Sequence, residues 1–305
     1  MRALKRLLVA AGLASVGGGP AFAHGSLAPT ELPPWTLAPS VTLPLAVALI
    51  LFAIGWARLR ARSSHGLAAL RRRGSLFGAG WLLLAAAVVS PLHAAGERSF
   101  AAHMFEHELL MLAAAPLLVL SKPLAVMLWA FPRQGRLALG AIGRASPITA
   151  AWDWLTHPVV ATLVQAAALW LWHAPSLFER ALADDGWHIA QHLSFLLSAL
   201  FFWSAMLHRR PRHYGVAALC LFATSVVSGA LGALMAFSPS PWYAGYAALG
   251  VAPMGLTPLE DQQLAGLLMW IPGGAVHAAA ALAMVFAALK ASTSSAPVTG
   301  KAYAG

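Results

Sequence analysis

The stretch GVAALCLFATSVVSGALGALMAF, residues 215–237, is mostly apolar and contains no charged residue. A helix needs about 20 mostly apolar residues to cross a bilayer, so this stretch is long enough to be a transmembrane span. Six other segments meet the same requirement, at about residues 40–57, 75–93, 102–120, 158–175, 188–207 and 263–289. The sequence therefore predicts an all-α fold, a polytopic membrane helical bundle of about seven transmembrane helices.

The composition of the whole chain agrees with a membrane protein. Of its 305 residues, 59% are hydrophobic and 10% are charged, whereas about a quarter of the residues of a soluble domain are charged. The surplus of apolar residues has to face lipid. Cys220, the only cysteine, lies inside the apolar stretch 215–237, which excludes both a disulfide framework and a CxxC metal motif.

The N-terminus has the three parts of a signal peptide. A basic start is followed by an apolar run at residues 7–16 and by Ala21-Phe22-Ala23, a typical cleavage site. The small and polar C-terminal residues indicate disorder. The predicted organisation is a signal peptide at 1–23, a periplasmic segment at 24–39, a seven-helix transmembrane domain at 40–290 and a disordered cytoplasmic tail at 291–305.

Basic residues are concentrated on one side of the predicted membrane. Six arginines lie between the first two spans, whereas nine of the ten acidic residues fall on the opposite side. Because loops rich in Lys and Arg remain in the cytoplasm, we expect a bacterial inner-membrane protein with a periplasmic N-terminus and a cytoplasmic C-terminus. The formal net charge of +10 is therefore a topology signal and does not indicate a nucleic-acid partner.

One apolar segment, residues 124–131, lies between Pro123 and Pro132 and is too short to cross. We expect it to be interfacial or re-entrant, or to be the end of a broken third span. If it crossed the bilayer, every later helix would be inverted, against the distribution of charge.

Half of the twelve histidines fall at the predicted outer ends of the spans. They form a weak repeat, in which one span ends on a histidine and the next begins with HxxxH. The six residues are His93, His103, His107, His173, His188 and His192. The repeat predicts that the two hairpins place their histidines at the same depth.

The HxxxH spacing indicates a metal site. Two imidazoles one helical turn apart share a face and can chelate one ion, and ionisable residues at membrane depth are costly and usually functional. The HMFEH stretch is not the HExxH motif of zinc proteases, because Glu106 stands at the wrong position. Imidazoles suit copper, zinc and iron, and thioethers at Met104 and Met111 favour Cu(I). Copper is the expected cofactor, with haem held by opposed histidines as the alternative.

The last predicted span opens on Asp261, which could be a metal ligand, a hydrogen-bond partner of a histidine, or an N-cap. The sequence Trp270-Ile-Pro272-Gly-Gly predicts a bend in this helix. His277 lies 16 residues beyond Asp261 and therefore about 24 Å deeper. We expect it to lie outside the histidine cluster.

Several motifs together carry a resemblance to a known family. They are His103-Met-x-x-His107 with Ala115-Pro116, Trp172-His173-x-Pro175, Gln191-His192 with Phe201-Phe-Trp203, and Asp261-Gln262 with Met269-Trp-Ile-Pro272. In this order they resemble the caa3-type cytochrome c oxidase assembly factors, the multi-spanning CtaG family, over about residues 40–290.

The resemblance implies a role in the maturation of a haem–copper oxidase through delivery of copper to its catalytic subunit. The expected partners are the oxidase subunits, a copper donor protein and membrane lipids. The resemblance implies five site residues, namely His103, His107, His173, His192 and Asp261. His93 and His188 are candidate metal ligands only because of the spacing of the histidines.

Three other functions are compatible with parts of the pattern. A copper transporter or resistance permease predicts polar residues that continue through the bilayer, and a haem-binding membrane protein predicts a bound haem. A membrane hydrolase is the least favoured, because the sequence offers no nucleophile–base pair. We therefore expect a protein that is not an enzyme.

Overall fold

The computed structural model describes residues 34–62, 65–208 and 214–294, and within these ranges it consists of helices and connecting turns without a strand. The predicted signal peptide, most of segment 24–39 and the tail beyond residue 294 lie outside the described residues. The helices are α1 (Pro39–Arg62), α2 (Leu67–Val89), α3 (Pro91–Gly96), α4 (Phe100–Glu108), a π-helical turn (Leu109–Ala114), α5 (Ala115–Ser121), α6 (Pro123–Met127), a 3-10 turn (Leu128–Ala130), α7 (Arg133–Gly143), α8 (Ser146–Leu155), α9 (Pro158–Trp172), α10 (Pro175–Ala183), α11 (Asp185–Leu207), α12 (Tyr214–Ala236), α13 (Ala244–Leu249) and α14 (Pro258–Ser294).

Six spans in the described ranges are long and apolar enough to cross a membrane. They are α1, α2, the continuous run Phe100–Ser121, α11, α12 and Pro258–Lys290 of α14. A seventh crossing is formed if α8 and α9, which meet at an angle of 70°, act as one broken span. The prediction of a helical membrane bundle with about seven spans is thereby confirmed.

The break in the fourth span follows from Pro158. A residue that precedes proline is driven out of the helical region, and His157 accordingly has ψ 131°. Pro158 then occupies the first turn of α9, where its missing N–H costs nothing. The 15 residues of α9 rise about 22 Å, so α9 alone is shorter than the bilayer core.

The third span contains a π-helical turn immediately before Pro116. The ring of a proline clashes with the carbonyl four residues earlier, and the wider turn relieves that clash. The N–H of Ala115 bonds to the carbonyl of Leu110, which leaves the carbonyl of Met111 free to accept the indole N–H of Trp203 at 2.9 Å.

The predicted non-crossing segment 124–131 forms α6 and the 3-10 turn, and both pack beside α1. Arg58 donates from Nη1 to the carbonyl of Ala130 at 2.6 Å. The segment is not among the membrane spans of the described residues, as predicted. It lies at the arginine-rich end of the bundle, opposite the end that carries His93, His103 and His188, which we call the histidine end.

The longest helix, α14, packs closely against α12 along glycines. A Cβ atom on Gly232 would lie 2.7 Å from the carbonyl oxygen of Gly266, so only glycine permits this approach. The bend predicted at Pro272 does not interrupt α14, which continues through the proline as a single helix. Packing against neighbouring helices lets membrane helices tolerate a proline in this way.

Candidate metal centre

Three serine and aspartate caps position the histidine-bearing helices. The hydroxyl of Ser90 accepts from the N–H of Leu92 at 3.2 Å and starts α3, which carries His93. Ser99 starts α4 in the same way, and Asp184 starts α11. Because each cap fixes where a helix begins, it also fixes which turn presents a histidine.

Five histidines converge at the histidine end. The closest ring centroids are those of His103 and His107 at 4.4 Å, and those of His188 and His192 at 4.5 Å. The two pairs also contact each other, since the His107 and His192 rings are 5.0 Å apart. His93 completes the group, with its ring stacked 5.1 Å from that of His188.

The five histidines form two triplets that share His192. One triplet is His93, His188 and His192, and the other is His103, His107 and His192; within each, one ring nitrogen per residue lies within 4.8 Å of the others. Nitrogen ligands about 2 Å from one ion are at most about 4 Å apart. Either triplet would therefore have to contract by less than about 1 Å to hold one metal ion.

The tautomer of His103 leaves a free lone pair directed at its neighbours. Tyr246 donates its hydroxyl proton to the carbonyl of Gly96 at 2.5 Å. The same oxygen therefore accepts the proton of His103 Nδ1, at 3.1 Å. Nε2 of His103 carries no proton, and it is buried without a hydrogen bond.

The other buried ring nitrogens also lack partners. Neither nitrogen of His107 makes a hydrogen bond, and the Nε2 atoms of His188 and His192 make none. A buried polar atom without a partner costs about 1–3 kcal/mol. Each of the four rings has at least one nitrogen without a partner, and a cation bound between neighbouring rings would satisfy the lone pairs that face it.

Glu106 supplies negative charge inside the cluster. Its side chain is fully buried, and Oε1 accepts from Nδ1 of His93 at 2.8 Å and lies 3.4 Å from Nδ1 of His192. Burial alone would lower the pKa of His93, but the hydrogen bond and charge of Glu106 outweigh it and raise that pKa. The carboxylate thus orients two imidazoles and offsets the charge of a bound cation.

A cavity of about 390 Å³ leads to the cluster from the side of α1 and α11. Its walls include His93, His188 and His192, and its rim carries the exposed acids Glu97 and Asp185. Acidic groups at the mouth of a cleft raise the local concentration of cations. The cluster is therefore reachable by a metal ion.

His173 lies outside both triplets. It donates from Nδ1 to the carbonyl of Leu169 at 2.7 Å, which directs an unprotonated Nε2 at the sulfur of Met104, 3.3 Å away. Burial lowers the pKa of His173 to about 4, so the ring is neutral. The repeat predicted from sequence is thus unequal, because His93 joins the cluster and His173 instead lies against a thioether.

Asp261 lies at the N-terminus of α4, apart from the triplets. Its carboxylate accepts from the hydroxyl of Ser99 at 2.8 Å and from the N–H groups of Phe100 and Ala101 at 2.6 and 3.3 Å. It therefore caps a helix, as one of the sequence alternatives proposed, but the capped helix is the one that carries His103. A carboxylate at a helix N-terminus is stabilised by the helix dipole.

Sequence reasoning missed Tyr246, which lies on α13 between two spans and gives no signal in the sequence. Glu106 was named without a role, although its position three residues after His103 places both on one helical face. His277 stays apart from the cluster, as predicted, and packs against Trp203 with parallel rings 5.9 Å apart.

Comparisons with known proteins identify the family. No curated protein and no solved structure matches the chain. A family model described as cytochrome c oxidase caa3 assembly factor, Caa3_CtaG, matches residues 50–291, a range that includes all five clustered histidines and Asp261. The chain belongs to the family of cytochrome c oxidase caa3 assembly factors.

Proposed function

We propose that this protein binds copper at the five-histidine cluster on the periplasmic face and transfers it to a cytochrome c oxidase during assembly. The observation that carries the proposal is the convergence of five imidazoles with several unpartnered nitrogens around one buried carboxylate. Family membership indicates that the protein that receives the copper is a cytochrome c oxidase. The cluster offers the ligands that would hold the metal ion.

Copper fits the ligands better than the alternatives. Copper(II) outcompetes the other divalent first-row metals at nitrogen ligands, and the thioether of Met104 beside His173 would favour Cu(I). Haem needs a flat slot between two opposed imidazoles. The five rings instead pack against one another, several edge to face at 4.4–5.9 Å, which leaves no such slot.

The periplasmic location is supported by the distribution of charge. Arg58, Arg72 and Arg136 lie at the end of the bundle opposite the cluster, and arginine-rich ends of membrane helices remain in the cytoplasm. Copper would enter through the 390 Å³ cavity from a donor protein and leave by the same route to the oxidase. The proposed role is binding and transfer, without a catalysed reaction.

The proposal is tested in cells that lack the protein and are complemented by variants. We expect His103→Ala/His107→Ala to fail to restore oxidase activity and to leave the isolated oxidase depleted of copper. His157→Ala removes an exposed histidine far from the cluster and should restore both. An oxidase with full copper content and activity in the absence of the protein would refute the proposal. Uptake of copper into vesicles that contain the protein would favour a transporter instead.

A further inference from the structure

A second cavity lies deeper in the bundle, among α4, α9, α12 and α14. Its volume is about 30 Å³, room for about two waters or one ion. It begins directly below the cluster, because Glu108 follows His107 in the chain. Gly273, which also lines it, is 12 residues beyond Asp261 and so about 18 Å deeper. The cavity is therefore inside the membrane-spanning part of the bundle.

Four buried side-chain atoms around this cavity have no hydrogen-bond partner. Oε2 of Glu108, Oγ1 of Thr162, Oε1 of Gln165 and Nε2 of His277 are all buried without a hydrogen bond. The side chains of Gln165 and His277 are 3% and 2% exposed. Each unpartnered acceptor is expensive where no bulk water can reach it. The hydroxyl of Thr162 can also donate, but the Glu108, Gln165 and His277 atoms act as acceptors. Three acceptors around one cavity fit an occupant that carries positive charge.

His277 is oriented as a metal-binding histidine would be. It donates from Nδ1 to the carbonyl of Gly273 at 2.8 Å, which leaves Nε2 as a lone-pair acceptor. Metal-bound histidines commonly fix their second ring nitrogen in this way. Trp203 stacks on the ring, with centroids 5.9 Å apart and an interplanar angle of 3°.

The π-helical turn brings a thioether to the same cavity. Met111 lies in this turn, is 5% exposed and lines the cavity. Its free carbonyl accepts from the indole of Trp203. A single tryptophan therefore fixes both Met111 and His277, and π-helical turns are frequent at functional sites.

We propose that this cavity is a second, membrane-embedded site for Cu(I), with ligands from Glu108, Met111, Gln165 and His277. A thioether and an imidazole together favour Cu(I) among the biological metals. Glu108 contributes the only formal negative charge among the residues that line the cavity. A monovalent ion makes the site neutral, whereas a divalent ion would leave an uncompensated charge in the membrane. The identity of the ion rests on the proposed function, whereas the existence of a cation site does not.

The site is tested by titrating the purified full-length protein in detergent with Cu(I) against a competing chelator. The wild type should bind Cu(I) in two separable classes. Glu108→Gln should lose one equivalent per chain, and Met111→Leu should weaken the same class at least tenfold. Met235→Leu changes a methionine that is equally buried but does not line the cavity, and it should bind as the wild type does.

A spectroscopic measurement identifies the atoms bound to copper directly, so it does not rely on a loss of binding. X-ray absorption of Cu(I) bound to His103→Ala/His107→Ala should show a sulfur neighbour, and adding Met111→Leu should remove it while Met104→Leu should not. Wild-type Cu(I) stoichiometry and affinity in Glu108→Gln would overturn the site and show a water-filled cavity. Loss of all copper from His103→Ala/His107→Ala would also overturn it. If Glu108→Gln loses copper and His103→Ala/His107→Ala loses none, the histidine cluster is refuted as a copper site. The deeper cavity is then supported as the copper site.

Discussion

The most informative single substitution is Asp261→Asn, because Asp261 could act as a metal ligand or as a helix cap. Its carboxylate accepts three hydrogen bonds from the start of α4, and it is 3% exposed. Asparagine keeps one acceptor oxygen and replaces the other with an amino group. The N–H of Phe100, now bonded at 2.6 Å, then faces a donor.

The expected cost follows from two effects. Leaving one buried N–H without an acceptor costs about 1–3 kcal/mol. Removing the charge at the α4 N-terminus costs about 0.3–2 kcal/mol more. Asp261→Asn should therefore destabilise the protein by roughly 1–5 kcal/mol, the sum of these two ranges. It should keep the copper stoichiometry of the wild type, because the carboxylate is not in the cluster.

The assay is thermal unfolding of the purified protein in detergent, paired with metal analysis of the same samples. Asp184→Asn is the matched control, because Asp184 also caps a helix, α11, but is exposed. Asparagine is as good an N-cap as aspartate, so this control should change little. An Asp261→Asn protein as stable as the wild type that has lost copper would show that Asp261 is a ligand and would refute the capping argument.

Three further predictions concern the cluster and its support. Tyr246→Phe removes the acceptor of His103 Nδ1–H and should weaken copper binding about 10–100-fold, the usual effect of losing the partner of a liganding histidine. Glu106→Gln removes the buried negative charge beside His93 and His192 and should weaken copper binding at least about tenfold, measured by chelator competition. Gly266→Ala would drive a methyl group into the carbonyl of Gly232 and should destabilise the protein by about 1–3 kcal/mol or prevent its folding, measured by thermal unfolding and gel filtration.

Each of these substitutions has a control elsewhere in the chain. Tyr243→Phe removes a hydroxyl that donates to the carbonyl of His173, so it should leave the affinity of the cluster unchanged. Glu97→Gln removes an exposed carboxylate at the cavity rim and should affect the rate of binding more than the affinity. Gly143→Ala places a methyl group in open space and should be harmless. Equal effects of a substitution and its control would contradict the role assigned to the substituted residue.

Local patterns in the sequence were sufficient to predict the membrane spans and the gathering of histidines. Hydrophobic length and HxxxH spacing are properties of single helices, and both are visible in one segment at a time. The separation of His277 from the cluster followed from the rise of one helix. The break at Pro158 also had a local signal, because a residue before proline leaves the helical region.

Contacts between distant segments were not predictable in this way. Asp261 caps a helix that begins 161 residues earlier, and Tyr246 reaches the carbonyl of Gly96 across 150 residues. The unequal roles of His93 and His173 depend on Glu106 and Met104, which face different neighbours once the helices pack. Nothing in the spacing of the two hairpins distinguishes these environments.

The proposed copper site is the five-histidine cluster. Copper analysis of purified wild type beside His103→Ala/His107→Ala and His157→Ala is the decisive experiment. We expect the double variant to lose the copper of the cluster while His157→Ala retains the wild-type content. Equal copper in all three proteins would contradict the claim.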